Sequence, residues 1–349
     1  MAEEYRVAII GCGGRGRQHW RAYRATERCR LVAVADVQPG AAEAFVERAG
    51  LAEAPPAVYA DYAAMLRETR PDIVSVCTWP DTHAAIVDAA AAAGARAIFS
   101  EKPMAPTWGE ARHMAAAARQ AGTLLQFCHQ RRFETQFVVA RRLLREGAIG
   151  RLLRIEGTCD NLFDWGTHWF DMMHYYNGEQ PAEWVIGQID VRAGRRVFGA
   201  RVEDQGIALV QFAGGVQGLL ITGHGRPYPE VNRLVGTDGV IEVQMPGADG
   251  KWIPVRVRGR GDTDFRLPEV LEADRPGPAG PEGRAAADLL HCLEHGGEPE
   301  LSVEKALRAT ELIFATYESS RRRGRVDLPL TIDDSPLASM VEAGQIGGA

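Results

Sequence analysis

The chain has 349 residues, 46% of them hydrophobic and 25% charged, with a formal net charge of −6. That length allows two domains of ordinary size around real cores. Net negative charge argues against a nucleic-acid binder, whose phosphate partner demands concentrated positive charge, and the basic clusters at Arg131–Arg132 and Arg321–Arg325 read as solvated helix ends.

The first predicted element is an apolar run, Val7 to Ile10, that reads as a buried parallel strand, followed by a helix-forming stretch from Arg17 to Arg24. Between them IIGCGGRGRQHW places Gly11, Gly13 and Gly16 at the spacing GxGxxG. A second apolar run, Leu31 to Ala35, ends at Asp36. In a mononucleotide-binding βαβ unit the first glycine permits the tight turn, the second lets backbone approach a pyrophosphate, and the third lets helix pack on strand. The helix start offers N–H groups to phosphate, and a carboxylate at the tip of the second strand accepts ribose hydroxyls while repelling a 2′-phosphate. The stretch therefore predicts a dinucleotide cradle.

Alternation of helices and short strands continues. Helices are predicted at Ala41 to Ala49, after Asp61, at Thr82 to Ala93 and at Trp108 to Gln120; strands at Ala57 to Tyr59, Asp72 to Cys77, Arg96 to Ser100 and Leu124 to Cys128. This is the pattern of a doubly wound parallel sheet. From about Gly150 the character changes. Leu152 to Cys159, Trp184 to Val191, Gln205 to Phe212, Val216 to Thr222, Val231 to Gly236, Val240 to Gln244 and Trp252 to Val257 predict an open, mostly antiparallel sheet. One helix, Gly166 to Asn177, interrupts it and two more, Pro281 to Glu294 and Val303 to Arg322, close it. Arg258 to Gly280 reads as a long surface loop, and a tail follows Pro329. The expected division is residues 1–124 as a Rossmann domain, 125–335 as an α+β substrate-binding and oligomerisation domain, and 336–349 as a tail.

Six cysteines show neither a CxxC pair nor zinc-ligand spacing, so no disulfide framework and no metal are expected. No apolar stretch approaches the length of a membrane span and the N-terminus is acidic, so a cytoplasmic protein is expected.

Ligands of an α/β sheet bind outside the carboxyl ends of its strands, which singles out SEKP at Ser100 to Pro103 and CTWPDTH at Cys77 to His83. Lys102 could hydrogen-bond a substrate hydroxyl beside a nicotinamide, or merely cap a strand. His83 could line a cofactor or pack in the core. In DWGTHWFDMMHYY, Asp164, His168, Asp171 and Tyr175 share one face if the helix begins early. A carboxylate beside an imidazole sets its tautomer and raises its basicity. The same face could instead be turned to water, or hold a metal, although metal sites bring more ligands at suitable spacing.

These motifs together resemble the glucose-fructose oxidoreductase, inositol dehydrogenase and rhizopine-catabolism (Gfo/Idh/MocA) family. The matching residues are GCGGRG, the terminal Asp36, CTWPDTH, EKP at Glu101 to Pro103, HQRRF at His129 to Phe133, GAIGRL at Gly147 to Leu152, DWGTH at Asp164 to His168, VEDQG at Val202 to Gly206 and YESSRRRGRVDLP at Tyr317 to Pro329. The resemblance implies a cytoplasmic NAD(P)-dependent oxidoreductase acting on a sugar, cyclitol or related polyol. It implies His168 as general base, Lys102 on the same substrate oxygen and Asp164 orienting the set. NAD, in preference to NADP, is expected against Gly11, Cys12, Gly13, Gly14, Arg15, Gly16, Asp36, Thr78, Trp79, His83, Glu101, Lys102 and Gln130. Substrate neighbours are expected among His129, Asn161, Trp165, Trp169 and Tyr228, and a homodimer or homotetramer through the open sheet face. Trp79, Cys128 and Gln130 depart from the proline, glycine and asparagine usual in the family, which bears on the substrate and not on the reaction class. Two other readings stay open: a glycosidase using transient oxidation by NAD, and a sugar- or cofactor-sensing regulator without catalysis.

Overall fold

The computed structural model describes residues 4–223, 231–245 and 255–347, which form two compact units.

One unit comprises Met1–Pro106, Glu110–Gln130 and Pro276–Leu307. Its elements are β1 (Tyr5–Ile10), α1 (Gly14–Arg24), β2 (Cys29–Ala35), α2 (Ala41–Arg48), β3 (Ala57–Tyr59), α3 (Tyr62–Thr69), β4 (Ile73–Val76), α4 (Pro80–Ala92), β5 (Ala97–Ser100), α5 (Trp108–Ala121) and β6 (Leu124–Phe127). The strands form one parallel sheet in the order β3-β2-β1-β4-β5-β6. The order reverses between β1 and β4, so the crevice at their carboxyl ends is the topological switch point. Strands β4 and β5 are buried at every position, as a sheet covered on both faces requires. Helix starts follow local chemistry. Asp61 caps α3 by accepting from the Ala63 N–H at 2.8 Å, and Pro80 opens α4 where its missing N–H costs nothing.

The other unit comprises Thr107–Gly109, Arg131–Arg275 and Arg308–Ala349. It contains α6 (Thr135–Arg145), β7 (Leu152–Cys159), α7 (Thr167–Tyr176), β8 (Ala182–Asp190), a small ribbon of β9 (Arg196–Val197) and β10 (Ala200–Arg201), β11 (Gln205–Phe212), β12 (Gln217–Gly223), β13 (Val231–Gly236), β14 (Gly239–Gln244) and β15 (Val255–Gly259). After α8 (Gly280–His295), which packs in the first unit, come α9 (Val303–Arg322), β16 (Val326–Asp327) and α10 (Pro336–Glu342). The eight-stranded sheet runs β15-β14-β13-β7-β12-β11-β8-β16, antiparallel except where β12 lies parallel to β7.

Several expectations are corrected. A continuous boundary after residue 124 does not describe the units, because Pro276–Leu307 returns to the nucleotide-type unit and α8 packs on α1. Helix α6 was not foreseen, although its buried Phe137, Val139, Ala140 and Leu143 follow helical spacing. The tail after Pro329 is ordered by α10 and by the Asp333 carbonyl, which accepts from Gly109 N at 2.8 Å. The expected strand from Trp252 begins at Val255; Trp252 lies outside the described residues.

Candidate active site

The glycine-rich loop has the geometry of a cradle, and each glycine has its own reason. Gly11 sits at φ +94°, and a Cβ there would lie 2.4 Å from the Cys77 carbonyl oxygen; one on Gly16 would lie 2.3 Å from the Gly11 carbonyl oxygen. These two fit backbone against backbone and tolerate no side chain. A Cβ at Gly13 meets nothing within 4 Å, so the space it would take is open to a ligand. Gly13 is also the N-cap of α1 and brings no capping side chain, leaving the first-turn N–H groups for a phosphate. Asp36 closes the loop from the tip of β2: one carboxylate oxygen accepts from Cys12 N at 2.8 Å and the other from Gln38 N at 2.9 Å. Cys12 is itself buried, and burial, with Asp36 and Glu43 adding to it, pushes its thiol up to about 12. These residues fit a dinucleotide.

Around the cradle the expected residues divide. Thr78 and Trp79 follow β4, and the Thr78 backbone lies against Gly11; the Trp79 indole is 59% exposed, available for stacking on a flat ligand. His83 is fully buried, with Nδ1 3.1 Å from the Met104 carbonyl and Nε2 3.2 Å from that of Thr78, and burial lowers its pKa. As a neutral imidazole it can donate to only one of these two carbonyls, and it packs between the start of α4 and the segment after Lys102. Glu101 is buried, taking Arg15 Nε at 2.5 Å and His19 Nε2 at 3.0 Å on one oxygen. Burial would raise this carboxyl, but His19 and Arg15 outweigh it and hold it at about 2. Lys102 follows directly, His129 is buried just beyond β6, and Gln130 opens a short 3₁₀ turn, Gln130–Phe133.

In the other unit the helix expected over Gly166 to Asn177 is present, but it does not begin early as a regular helix through Asp164. Leu162–Gly166 is a single π-helical turn and α7 starts only at Thr167. Such turns recur at functional sites. Asp164 lies in the turn, half-buried, and His168 in the first turn of α7, 4% exposed. The turn is pinned twice: Asn161 accepts from Asp164 N at 2.7 Å, and Glu203 accepts from Leu162 N at 2.6 Å. Glu203 is fully buried and also takes the hydroxyls of Thr222 and Tyr317, each at 2.9 Å; burial raises its carboxyl even so. Nothing in the spacing of VEDQG foretold this role.

The predicted face breaks up in detail. All ten residues of α7 are buried, so no face turns to water. Asp171 receives Nε and Nη2 of Arg132, at 2.8 to 3.0 Å, and Tyr175 donates to the Arg132 carbonyl at 3.2 Å. These two hold Arg132 of the HQRRF segment, while Asp164 and His168 stand at the helix start. The reading of Arg131–Arg132 as a solvated helix end is corrected as well, since both are buried. The Arg131 guanidinium stacks over Trp169 at 4.4 Å and Trp165 at 5.2 Å from the ring centroids. Trp169 is 1% exposed with its indole N–H on the Thr158 carbonyl, a packing residue; Trp165 is partly open. Tyr228 lies outside the described residues.

Residues 5–129 match the oxidoreductase family with an NAD-binding Rossmann fold, Gfo/Idh/MocA, and residues 161–242 match that family's C-terminal domain. The chain belongs to the Gfo/Idh/MocA family. It is 26% identical to the D-apiose dehydrogenase of Paraburkholderia graminis, over 99% of this chain and 95% of that protein, and 28% identical to the inositol 2-dehydrogenase of Rhizobium meliloti, over 93% and 99%. Among solved structures, a levoglucosan dehydrogenase in complex with NADH and levoglucosan superposes with a TM-score of 0.79 at 22% identity, covering 94% of this chain and all of that one. A Gfo/Idh/MocA chain is an NAD-binding oxidoreductase, and this one carries the family's Rossmann sheet and mixed second sheet intact. No helix among its described residues is long and apolar enough to cross a membrane.

His174 makes this family member acid-sensitive in a defined window. Its ring is buried on α7, Nδ1 faces the Gln180 carbonyl at 3.2 Å, and burial, only partly offset by Glu179 and Asp171, lowers it from 6.5 to about 4. Because the folded value lies below the unfolded one, the unfolded chain binds the proton first. The contribution of this group to stability should be complete above about pH 6.5 and should decline as pH falls toward 4, by up to about 1.4 kcal/mol per pH unit. Urea midpoints between pH 7 and 4.5 should fall, and should fall less in His174→Gln; equal slopes would refute the assignment.

Proposed function

We propose that the chain catalyses hydride transfer between a hydroxyl of a sugar, cyclitol or related polyol and nicotinamide. The observation that carries this reading is the EKP lysine and the Asp164–His168 pair in a chain whose glycine loop leaves an open, uncapped helix start above Asp36. The naming of the relatives as dehydrogenases of D-apiose and inositol, and levoglucosan in a neighbour's complex, support the substrate class.

Gly11 to Gly16 and Asp36 would hold the dinucleotide, which when bound supplies the hydride acceptor. His168 takes the hydroxyl proton as general base, Lys102 donates a hydrogen bond to the same oxygen and stabilises its developing negative charge, and Asp164 orients the pair. Retention of all three speaks against a sensor without catalysis, which needs no proton chemistry. Fluorescence titration with NADH, then a panel of sugars and inositols followed at the nicotinamide absorbance, tests the proposal. NADH binding without net reduction of NAD by any polyol would sink it. Product formed without net NADH would point to the glycosidase reading instead.

Asp36, with Val37 and Gln38 after it, sets a preference for NAD over NADP. Its two oxygens already take one N–H each and leave lone pairs for ribose hydroxyls, whereas a 2′-phosphate would face a carboxylate. The margin is about 2 kcal/mol, the scale of a repelled, partly buried charge. Asp36→Ala should shrink the difference between NADH and NADPH dissociation constants; tighter NADPH binding by the native protein would refute the preference.

The protein further works as a homo-oligomer through the face of the eight-stranded sheet opposite α6 and α7. Ile186, Leu209 and Leu219 are register partners across β8, β11 and β12, and Ile207 lies beside Ile221. Ile186 and Ile207 are each 45% exposed, an apolar patch of the kind that marks an interface. Ile207→Asp should lower the mass seen by sedimentation; an unchanged mass would exclude this face. Six free cysteines suit the cytoplasm, where NAD is supplied.

A further inference from the structure

We propose that His19, Glu101 and Cys128 form a binding site for a soft or borderline divalent cation such as Zn²⁺ or Co²⁺, at the floor of the cradle. The three come from α1, the end of β5 and the end of β6, and their ligand atoms lie within 4.8 Å of one another. All three are buried: His19 is 0%, Glu101 5% and Cys128 0% exposed. An imidazole nitrogen, a carboxylate and a thiol are the donor set that tetrahedral zinc selects.

Two further features fit a metal. The outer nitrogen of His19, Nδ1, lies 3.1 Å from the Ser75 hydroxyl, which itself lies 3.1 Å from that of Tyr23. That partner fixes the ring with Nε2 facing Glu101, as metal-bound imidazoles require. Gln126, two residues before Cys128, is fully buried with neither amide atom hydrogen-bonded among the described residues. Its register partner Phe99 stacks on the His19 ring at 4.3 Å, so this unsatisfied amide belongs to the same side of the sheet.

A cation already occupies the approach. Arg15 places Nε 2.5 Å from Glu101 and Nη2 3.0 Å from the Cys128 sulfur. Its side chain is 36% exposed and its Nη1 also reaches Gln18 and Glu282, so it has partners to move onto when it leaves the ligands beneath it. The metal and the Arg15 guanidinium are therefore alternative counter-ions for one carboxylate. As the sulfur–metal bond forms, the S–H proton passes to solvent and no oxidant or reductant is consumed. Because Arg15 lies within the glycine loop, metal binding should weaken dinucleotide binding; this coupling rests on the function proposed above, and the site itself does not.

Titrating the purified protein with Co²⁺ separates the two. One cobalt should bind with a near-ultraviolet thiolate-to-metal charge-transfer band. Cys128→Ala should abolish the band and weaken binding by more than about tenfold, and Arg15→Leu should tighten it. Circular dichroism confirms that each variant is folded, and the native protein's spectrum stands alone if one is not. Absence of the band in the native protein, or its survival in Cys128→Ala with loss in Cys77→Ala, would overturn the site. NADH binding unaffected by saturating Co²⁺ would overturn only the coupling.

Discussion

Replacing His168 by alanine should lower polyol oxidation by about 10²–10⁴-fold, the usual contribution of a positioned general base, with NADH affinity unchanged. The native enzyme's activity should rise with pH through the range in which an imidazole loses its proton, and His168→Ala should lack that limb. On the proposed mechanism Lys102→Ala should be at least as damaging, since it would remove the cation that stabilises the oxygen on which charge develops. Asp164→Asn retains the backbone N–H that donates to Asn161 in the π-turn. It should nevertheless move the limb to lower pH, the carboxylate that favours the imidazolium being gone. Stopped-flow and steady-state rates on the best polyol from the panel decide this. Wild-type turnover and an unchanged pH profile in His168→Ala would remove it as the base, and Lys102 would take its place, since Tyr175 is committed to the Arg132 carbonyl.

Asp171→Ala should cost about 3 kcal/mol of unfolding free energy, the low end of the penalty for breaking a buried ion pair, because Glu179 stays on the guanidinium. Arg132 is 0% and Asp171 1% exposed at the side chain, and loss of Asp171 would leave Glu179, at 2.6 Å, as the remaining carboxylate on that guanidinium. The charge is not relieved by loss of a proton, because a guanidinium stays protonated at any ordinary pH; in the native protein Asp171 and Glu179 outweigh burial and hold Arg132 well above the ordinary arginine value. Replacing both partners by apolar residues of similar volume should recover much of the loss. Urea unfolding of the single and double variants measures this. A single variant within about 0.5 kcal/mol of the native protein would show that the pair does not hold the HQRRF segment on α7.

The cradle was legible because its chemistry is local. Glycine spacing, an apolar strand before, a helix after and a carboxylate at the next strand's tip all lie within residues 7 to 36, and sterics around backbone atoms dictate them. The two sheets were legible for a similar reason, since burial on both faces writes continuous apolar runs and burial on one face writes alternation. The entry to α7 was not. A π-turn has no period of its own, and its partners, Asn161 and Glu203, bond to backbone N–H groups that the sequence does not distinguish.

What the sequence determined by itself was the class of fold, the cradle and the residue types capable of proton and hydride chemistry. Only the tertiary structure decided which side chains meet: His83 lies between two carbonyls, Asp171 and Tyr175 hold Arg132, and Arg131 stacks on two indoles. It alone brought His19, Glu101 and Cys128 together from three separate elements. The physical reason is that a side chain's role depends on its neighbours across the fold and on their access to water. Spacing along the chain records neither once the contacts are long-range.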